Sequence, residues 1–303
     1  MTTANPAHKA PQPGTTVNFD VPAGACDCHT HIHGPTDEFP WFEGRVYTPE
    51  TALPEEMASL HHALRMQRVV IVTPSVYGPD NRASVWGMKA YRGEARGVAV
   101  IDETTTDQQL DQLHRDGMRG IRLNLATAGM NDQSAALSHF STAAQRMARR
   151  NWHVQFYTTL DMVTALKDSV LASPVPVVFD HFGGADAALG TSQPGFSDLC
   201  DLLESGRAYV KISGAYRASA KGPDYKDACP LAQALISANP DRILWGTDWP
   251  HPDSDAPGLK PTDVRPFYPI DDGLLLNQLP EWAPDTSIRR KILVDNPARL
   301  YGF

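Results

Sequence analysis

The chain has 303 residues, 42% of them hydrophobic and 20% charged, with a formal net charge of −8 and a pI near 5.7. A chain of this size and composition can bury a large core without disulfide support. The acidic balance argues against nucleic acid or an anionic membrane as a partner, because no basic run is available to neutralise phosphates. Four cysteines in this length do not make a disulfide framework. No stretch approaches about 18 continuous apolar residues. The first twenty residues are polar and proline-rich, without the apolar centre of a signal peptide. A reduced, cytoplasmic protein is therefore expected.

Taken in chain order, residues 1–22 read as an N-terminal tail or arm, and residues 23–303 as one domain. Short apolar runs predict strands over 25–31, 69–73, 95–101, 120–124, 153–157, 175–181, 208–213 and 243–248. Helical patterns fall between them at 54–64, 107–116, 138–149, 160–171, 196–204 and 231–238. Eight strands alternating with helices predict a single (β/α)8 TIM-like barrel with its active site at the C-terminal ends of the strands. An open doubly wound sheet is the competing fold, but it usually carries a glycine-rich turn after its first strand. Here the first strand ends in histidines. The proline-rich segment 250–272 and the segment 34–54 follow strand ends on the active-site face and read as functional loops, the first as a lid.

Three motifs carry chemistry. In Cys26-Asp27-Cys28-His29-Thr30-His31, strand alternation predicts that His29 and His31 share one face and converge at the strand's end, with Cys26 and Cys28 in the packing layer on the other side. The cysteines are expected to be buried thiols, since no second pair completes a metal site. His33 is expected to lie beyond the strand. The run Val177-Val178-Phe179-Asp180-His181 places His181 at the barrel mouth. The run Trp245-Gly246-Thr247-Asp248-Trp249-Pro250 leaves a carboxylate at the end of an apolar strand. There it needs a charged partner or water, so a general base is favoured over a cap. Four convergent titratable groups also argue against a non-catalytic binding protein.

These motifs resemble those of the amidohydrolase superfamily. More narrowly, Gly24-Ala25-Cys26-Asp27-Cys28-His29-Thr30-His31, Arg119-Gly120-Ile121-Arg122-Leu123-Asn124, Asp180-His181, the run from Trp245 to Pro252, and Asn296-Pro297-Ala298-Arg299-Leu300-Tyr301 look like the 2-pyrone-4,6-dicarboxylate hydrolase group. That group also includes 4-sulfomuconolactone hydrolases and a sugar-acid lactone isomerase. The resemblance implies a hydrolase that opens an anionic lactone in aromatic-compound degradation, with Asp248 activating water and His29, His31 and His181 around the attacked carbonyl. It further implies that Tyr47, Ser75, Arg122, Tyr157 and Arg217 contact the substrate's anionic groups, and Tyr77 and His251 complete the candidate contact set. Arg217 could equally be an ordinary loop arginine.

Two departures bear on the substrate. The group's second strand-four arginine is replaced by Ala128, and its Ser-Cys-His-Gly reads Ser75-Val76-Tyr77-Gly78. A rearranged anion clamp favours 4-sulfomuconolactone over the planar pyrone dicarboxylate, with other muconolactone carboxylates in the same class. The alternatives are isomerisation of a sugar-acid lactone and metal-dependent decarboxylation. The cofactor stays open as well. One Zn2+ could be held by His29, His31, His181 and Asp248, or the reaction could run without metal. No strand-four Lys or Glu is placed to bridge two metals.

Overall fold

The computed structural model describes residues 10–126, 132–254, 258 and 260–303. Its centre is a sheet of eight parallel strands: β1 Cys26–Thr30, β2 Arg68–Val72, β3 Ala95–Ala99, β4 Met118–Leu123, β5 His153–Phe156, β6 Val177–Phe179, β7 Ala208–Ser213 and β8 Ile243–Gly246. Each strand pairs with the next in sequence. The ring closes where Thr30 bridges Trp249: the Asp248 amide donates to the His29 carbonyl and the His31 amide to the Trp249 carbonyl, both at 2.8 Å. The hydrogen bonds that close the barrel therefore also set the backbone of the candidate active-site residues.

Among the described residues, eight α-helices lie between these strands, α1 Pro54–Leu64, α2 Arg82–Lys89, α3 Asp107–Arg115, α4 Gln133–Ala148, α5 Leu160–Leu171, α6 Phe196–Glu204, α7 Ala215–Ala218 and α8 Cys229–Ala238, and further short ones follow β8. Local chemistry accounts for their ends. Thr106 and Gln109 form a reciprocal capping box at the start of α3. Helix α4 begins five residues before its predicted start because the Asp132 side chain accepts from the Ser134 and Ala135 amides. Helix α2 was not predicted. Its buried face includes Ala83, Ser84 and Gly87, which give little apolar periodicity.

The predicted alternation in β1 is broken. The register shifts between Asp27 and Thr30, and such a bulge re-aims the side chains that follow it. Asp27 leaves the barrel interior and meets His61 of α1 at 3.1 Å. Cys26 and Cys28 occupy the lower lumen instead, packed with Val70, Val178, Leu244 and Tyr301. Both thiols are free and buried. His33, beyond the strand as expected, is buried and bridges to Ala52.

Two features dress the barrel. Residues 10–22 run along its surface, with the Trp249 indole donating to the Pro11 carbonyl at 2.8 Å and Thr15 bonded to Asp271 at 2.6 Å. On the mouth side, the segments 34–54 and 250–272 are joined to each other: Thr48–Pro49 pairs in parallel with Val264–Arg265. Among the described residues, no helix is long and apolar enough to cross a membrane.

His153 begins β5 at the opposite, lower end. Its ring fills the space over Gly120, where a Cβ would come within 2.3 Å of it, and it meets Tyr301 edge to face. Burial, reinforced by the nearby Lys211 charge, lowers its pKa to about 3. Its folded pKa is thus below the unfolded value near 6.5, so the unfolded chain takes up the proton first and stability falls as pH drops below about 6.5. Between pH 6.5 and 4.5 this one group should cost about 2–3 kcal/mol. Urea unfolding of His153→Gln should show that much less loss over the same interval. Parallel pH profiles for variant and wild type would refute the assignment.

Candidate active site

Three strand ends deliver the four predicted groups to one place. His29 comes from β1, and His31 follows it. His181 follows β6, with its backbone in the left-handed region (φ 46°). Asp248 follows β8, also left-handed (φ 68°), a conformation that costs a non-glycine residue of order 1–3 kcal/mol and tends to occur at functional sites. Gly214, just after β7, has φ 56°, and a Cβ there would stand 3.0 Å from His181 Nδ1 and 3.2 Å from Asp248 Oδ2. Only a glycine lets the backbone pass this close to the reactive groups.

Asp248 Oδ1 lies 3.4 Å from His31 Nε2, 3.5 Å from His29 Nε2 and 3.8 Å from His181 Nε2. His31 Nδ1 donates to the Val72 carbonyl at 2.7 Å, and His181 Nδ1 lies 3.0 Å from Ser213 Oγ and 3.3 Å from its carbonyl. The Nε2 atoms therefore face Asp248. Burial lowers the His181 pKa to about 4 and takes His29 well below its ordinary value, against the pull of the nearby carboxylates. Burial also pushes the Asp248 carboxyl upward, but the Arg217 guanidinium and the surrounding imidazoles outweigh it and hold the group well below the usual carboxylate range.

The donor set fits one metal ion. His29 Nε2 and Asp248 Oδ1 are buried and lack a hydrogen-bond partner. At 3.4–3.8 Å, the Nε2–Oδ1 separations are too long for good hydrogen bonds. They approach the roughly 3.3–3.4 Å spacing of tetrahedral ligands at zinc-ligand distances of about 2.0–2.1 Å. His29, His31 and Asp248 each offer one ligand atom, all mutually within 4.8 Å. A His whose other ring nitrogen is held by a carbonyl or carboxylate is the usual arrangement around a metal.

The second Asp248 oxygen is covered. Oδ2 accepts from Arg217 Nε at 2.5 Å and from the Tyr216 hydroxyl at 2.6 Å. Arg217 comes from α7, is half-buried, and also reaches the Pro252 carbonyl at 3.3 Å and Ser254 Oγ at 3.5 Å. It lies across the centre as a bar, so the cavity beside Asp248 has only about 20 Å³, room for about one water. That cavity is lined by His31, Tyr47, Ser75, Arg122, Tyr157, His181 and Arg217 among others. On the far side of Arg217 and Tyr157 is a second space of about 330 Å³, walled by Tyr216, Tyr225 and Tyr268. Arg217 and Tyr157 line both.

Two expected contacts stand elsewhere. Tyr77 is buried outside this cavity, its hydroxyl accepting from the Gly34 amide at 2.9 Å and its ring against Trp41. His251 is fully buried, with Nε2 2.9 Å from Asp272 Oδ2. Its backbone is left-handed (φ 65°) and its ring lies beyond Tyr216, edge to face. Both hold loops in place rather than line the cavity. Ala128 lies outside the described residues.

Sequence reading assigned no role to the layer below. Asp180 is buried and accepts from Arg122 Nε at 2.9 Å and Gln155 Nε2 at 3.0 Å through Oδ2, while Oδ1 lies 3.1 Å from His29 Nδ1 and 3.2 Å from Lys211 Nζ. Lys211 on β7 is fully buried, 2.7 Å from Gln155 Oε1 and 3.2 Å from His29 Nδ1. Burial raises the Asp180 carboxyl, but Lys211, His29 and Arg122 outweigh it and hold the group well below its ordinary range. A lysine inside the apolar run Ala208–Ser213 and a glutamine inside His153–Phe156 were the available signals, since an inward polar group on a barrel strand needs a partner.

Fold and site together define a (β/α)8-barrel enzyme with a compact, metal-capable His/Asp centre at the strand ends. The amidohydrolase family model matches residues 26–303, and the chain belongs to that family. It is 36% identical to the 2-pyrone-4,6-dicarboxylate hydrolase of Comamonas testosteroni over 292 residues, covering 93% of this chain and 92% of that protein. It is 34% identical to the 4-sulfomuconolactone hydrolase of Hydrogenophaga intermedia, covering 94% and 91%. An apo crystal structure from Agrobacterium tumefaciens superposes with a TM-score of 0.77 at 26% identity, covering 96% of this chain and 98% of the other.

Proposed function

We propose that this protein hydrolyses a small anionic lactone of the class that includes 4-sulfomuconolactone and the 2-pyrone and muconolactone carboxylates, as a cytoplasmic step in aromatic-compound degradation. The observation that carries this reading is the position of Asp248. One of its oxygens faces three imidazoles, and the other is held by an arginine that an anion could draw away. Lactone hydrolysis needs a base for water, stabilisation of the carbonyl oxygen, and a cation for the substrate's acid group.

Asp248 is the base. While Arg217 binds it, its proton affinity is low. A substrate carboxylate or sulfonate that takes over Arg217 would restore that affinity as the lactone arrives. Asp248 then accepts a proton from water, and the resulting hydroxide attacks the lactone carbonyl. His31 and His181 line the same cavity; with the ring proton on the Nδ1 side, each would donate to the developing oxyanion from Nε2 only as an imidazolium. The C–O bond of the ring breaks, and the leaving alkoxide or enolate takes the proton back. Arg122, beside Tyr157, receives the anionic arm. If Zn2+ is the resident ion, His29, His31, His181 and Asp248 would hold it, and it would supply a Lewis acid and a more acidic water.

A screen of anionic lactones for ring opening, run in oxygen-18 water with and without chelator, tests the reaction. Label in the product is expected, and unlabelled isomer or released CO2 would refute hydrolysis. Elemental analysis of active protein should find about one zinc per chain, in line with a mononuclear site. Full activity in protein without metal would refute the zinc version.

A further inference from the structure

Lys211 takes no part in the steps above, yet it is a fully buried cation in the middle of the barrel. Its surroundings specify a charge. Two acceptor oxygens, Gln155 Oε1 at 2.7 Å and Asp180 Oδ1 at 3.2 Å, flank Nζ. Gln155 cannot serve as anything else, because its Nε2 is already donated to Asp180 Oδ2. Arg122 meets the same carboxylate from the other side, through Nε.

Two cations therefore share one carboxylate. The other carboxylate of the centre, Asp248, is matched by Arg217. One positive charge is left over in the floor layer, and it can reach a ligand by one route only. Lys211 and Asp180 have no exposed side-chain surface, whereas Arg122 lines the cavity and retains 7% exposure. Among the described residues, its terminal nitrogens make no hydrogen bond. With an apolar side chain in place of Lys211, Asp180 would neutralise Arg122 fully, and the floor would carry no net charge.

We propose that Lys211 is a specificity-determining positioning residue: by sharing Asp180 with Arg122, it keeps the Arg122 charge available for the substrate's anionic group. The inference rests on the anionic-substrate reading. It concerns a residue that never touches the substrate. Charges a few ångströms apart in a buried layer interact strongly enough to alter binding more than tenfold.

The test is calorimetric binding of benzene-1,3-dicarboxylate and of its uncharged diamide, which requires no lactone and no turnover. Lys211→Met should weaken dicarboxylate binding at least about tenfold and change diamide binding less than about twofold. Lys211→Gln, which keeps a donor for Asp180 without the charge, should behave like Lys211→Met and covers the case in which the methionine variant does not fold. Adding Asp180→Asn to Lys211→Met restores the net charge through Arg122 alone and should recover binding to within about threefold of wild type. Equal losses for both ligands, or no recovery in the double variant, would overturn the proposal and make Lys211 a structural element. Wild type that binds the diamide as tightly as the dicarboxylate would overturn the anionic-substrate reading and this inference with it. Charge-selective binding without lactone hydrolysis would remove the proposed reaction and leave the role of Lys211 intact.

Discussion

Asp248→Asn should fold and lose about 10²–10⁴ in kcat, the range expected for removal of a general base. Asparagine keeps the size of the side chain and an oxygen that can still accept from Tyr216. It loses the charge that faces three imidazoles on one side and Arg217 on the other. A lowered melting temperature should accompany the loss, because the half-buried Arg217 is left without its counter-ion. Near-ultraviolet circular dichroism separates this cost from unfolding. Zinc content, measured alongside, should also fall, since the donor set drops to three imidazoles. Activity within threefold of wild type would remove Asp248 from the mechanism.

The parts legible in the sequence were those governed by local pattern. The apolar strands, the helices Leu160–Leu171 and Phe196–Glu204, and the convergence of His29, His31, His181 and Asp248 follow from periodicity and from strand ends in a closed barrel. What escaped depends on non-local contact. The shift that sends Asp27 outward to His61 is set by pairing with β2. The carboxylate of Asp180 stood in plain view beside His181, but its partners Gln155 and Lys211 come from strands 25 and 31 residues away. Arg217 read equally as a substrate contact and as an ordinary loop arginine, because nothing nearby in the chain reveals that its partner is Asp248. Tyr77 and His251 show the reverse. Their motifs place them near the site, and only the fold shows that Gly34 claims the Tyr77 hydroxyl and Asp272 one ring nitrogen of His251.

The two arginines should separate in a way their sequence positions do not suggest. Arg122→Met and Arg217→Met should each cut kcat/KM for an anionic lactone by at least about 30-fold, the lower end of what removing one partner of a buried charge pair costs. Arginine suits both places because its planar fork can hold a carboxylate or sulfonate with two hydrogen bonds, so lysine should rescue only part of either loss. Arg122→Met leaves Asp248 untouched. Its loss should be confined to charged substrates and should not move the pH profile. Arg217→Met has a second consequence. Arg217 is the main cause of the low Asp248 pKa, so removing it lets burial push the carboxyl upward. The base must be ionised to act, so the acidic limb of kcat/KM should move to higher pH in this variant alone. A neutral lactone of the same ring size should lose little with Arg122→Met. With Arg217→Met it should react at least as fast as with wild type at high pH, since no anion is needed there to draw Arg217 off the base. Equal losses on charged and neutral lactones, with superimposable pH profiles for the two variants, would make both arginines structural and break the link between substrate charge and release of Asp248.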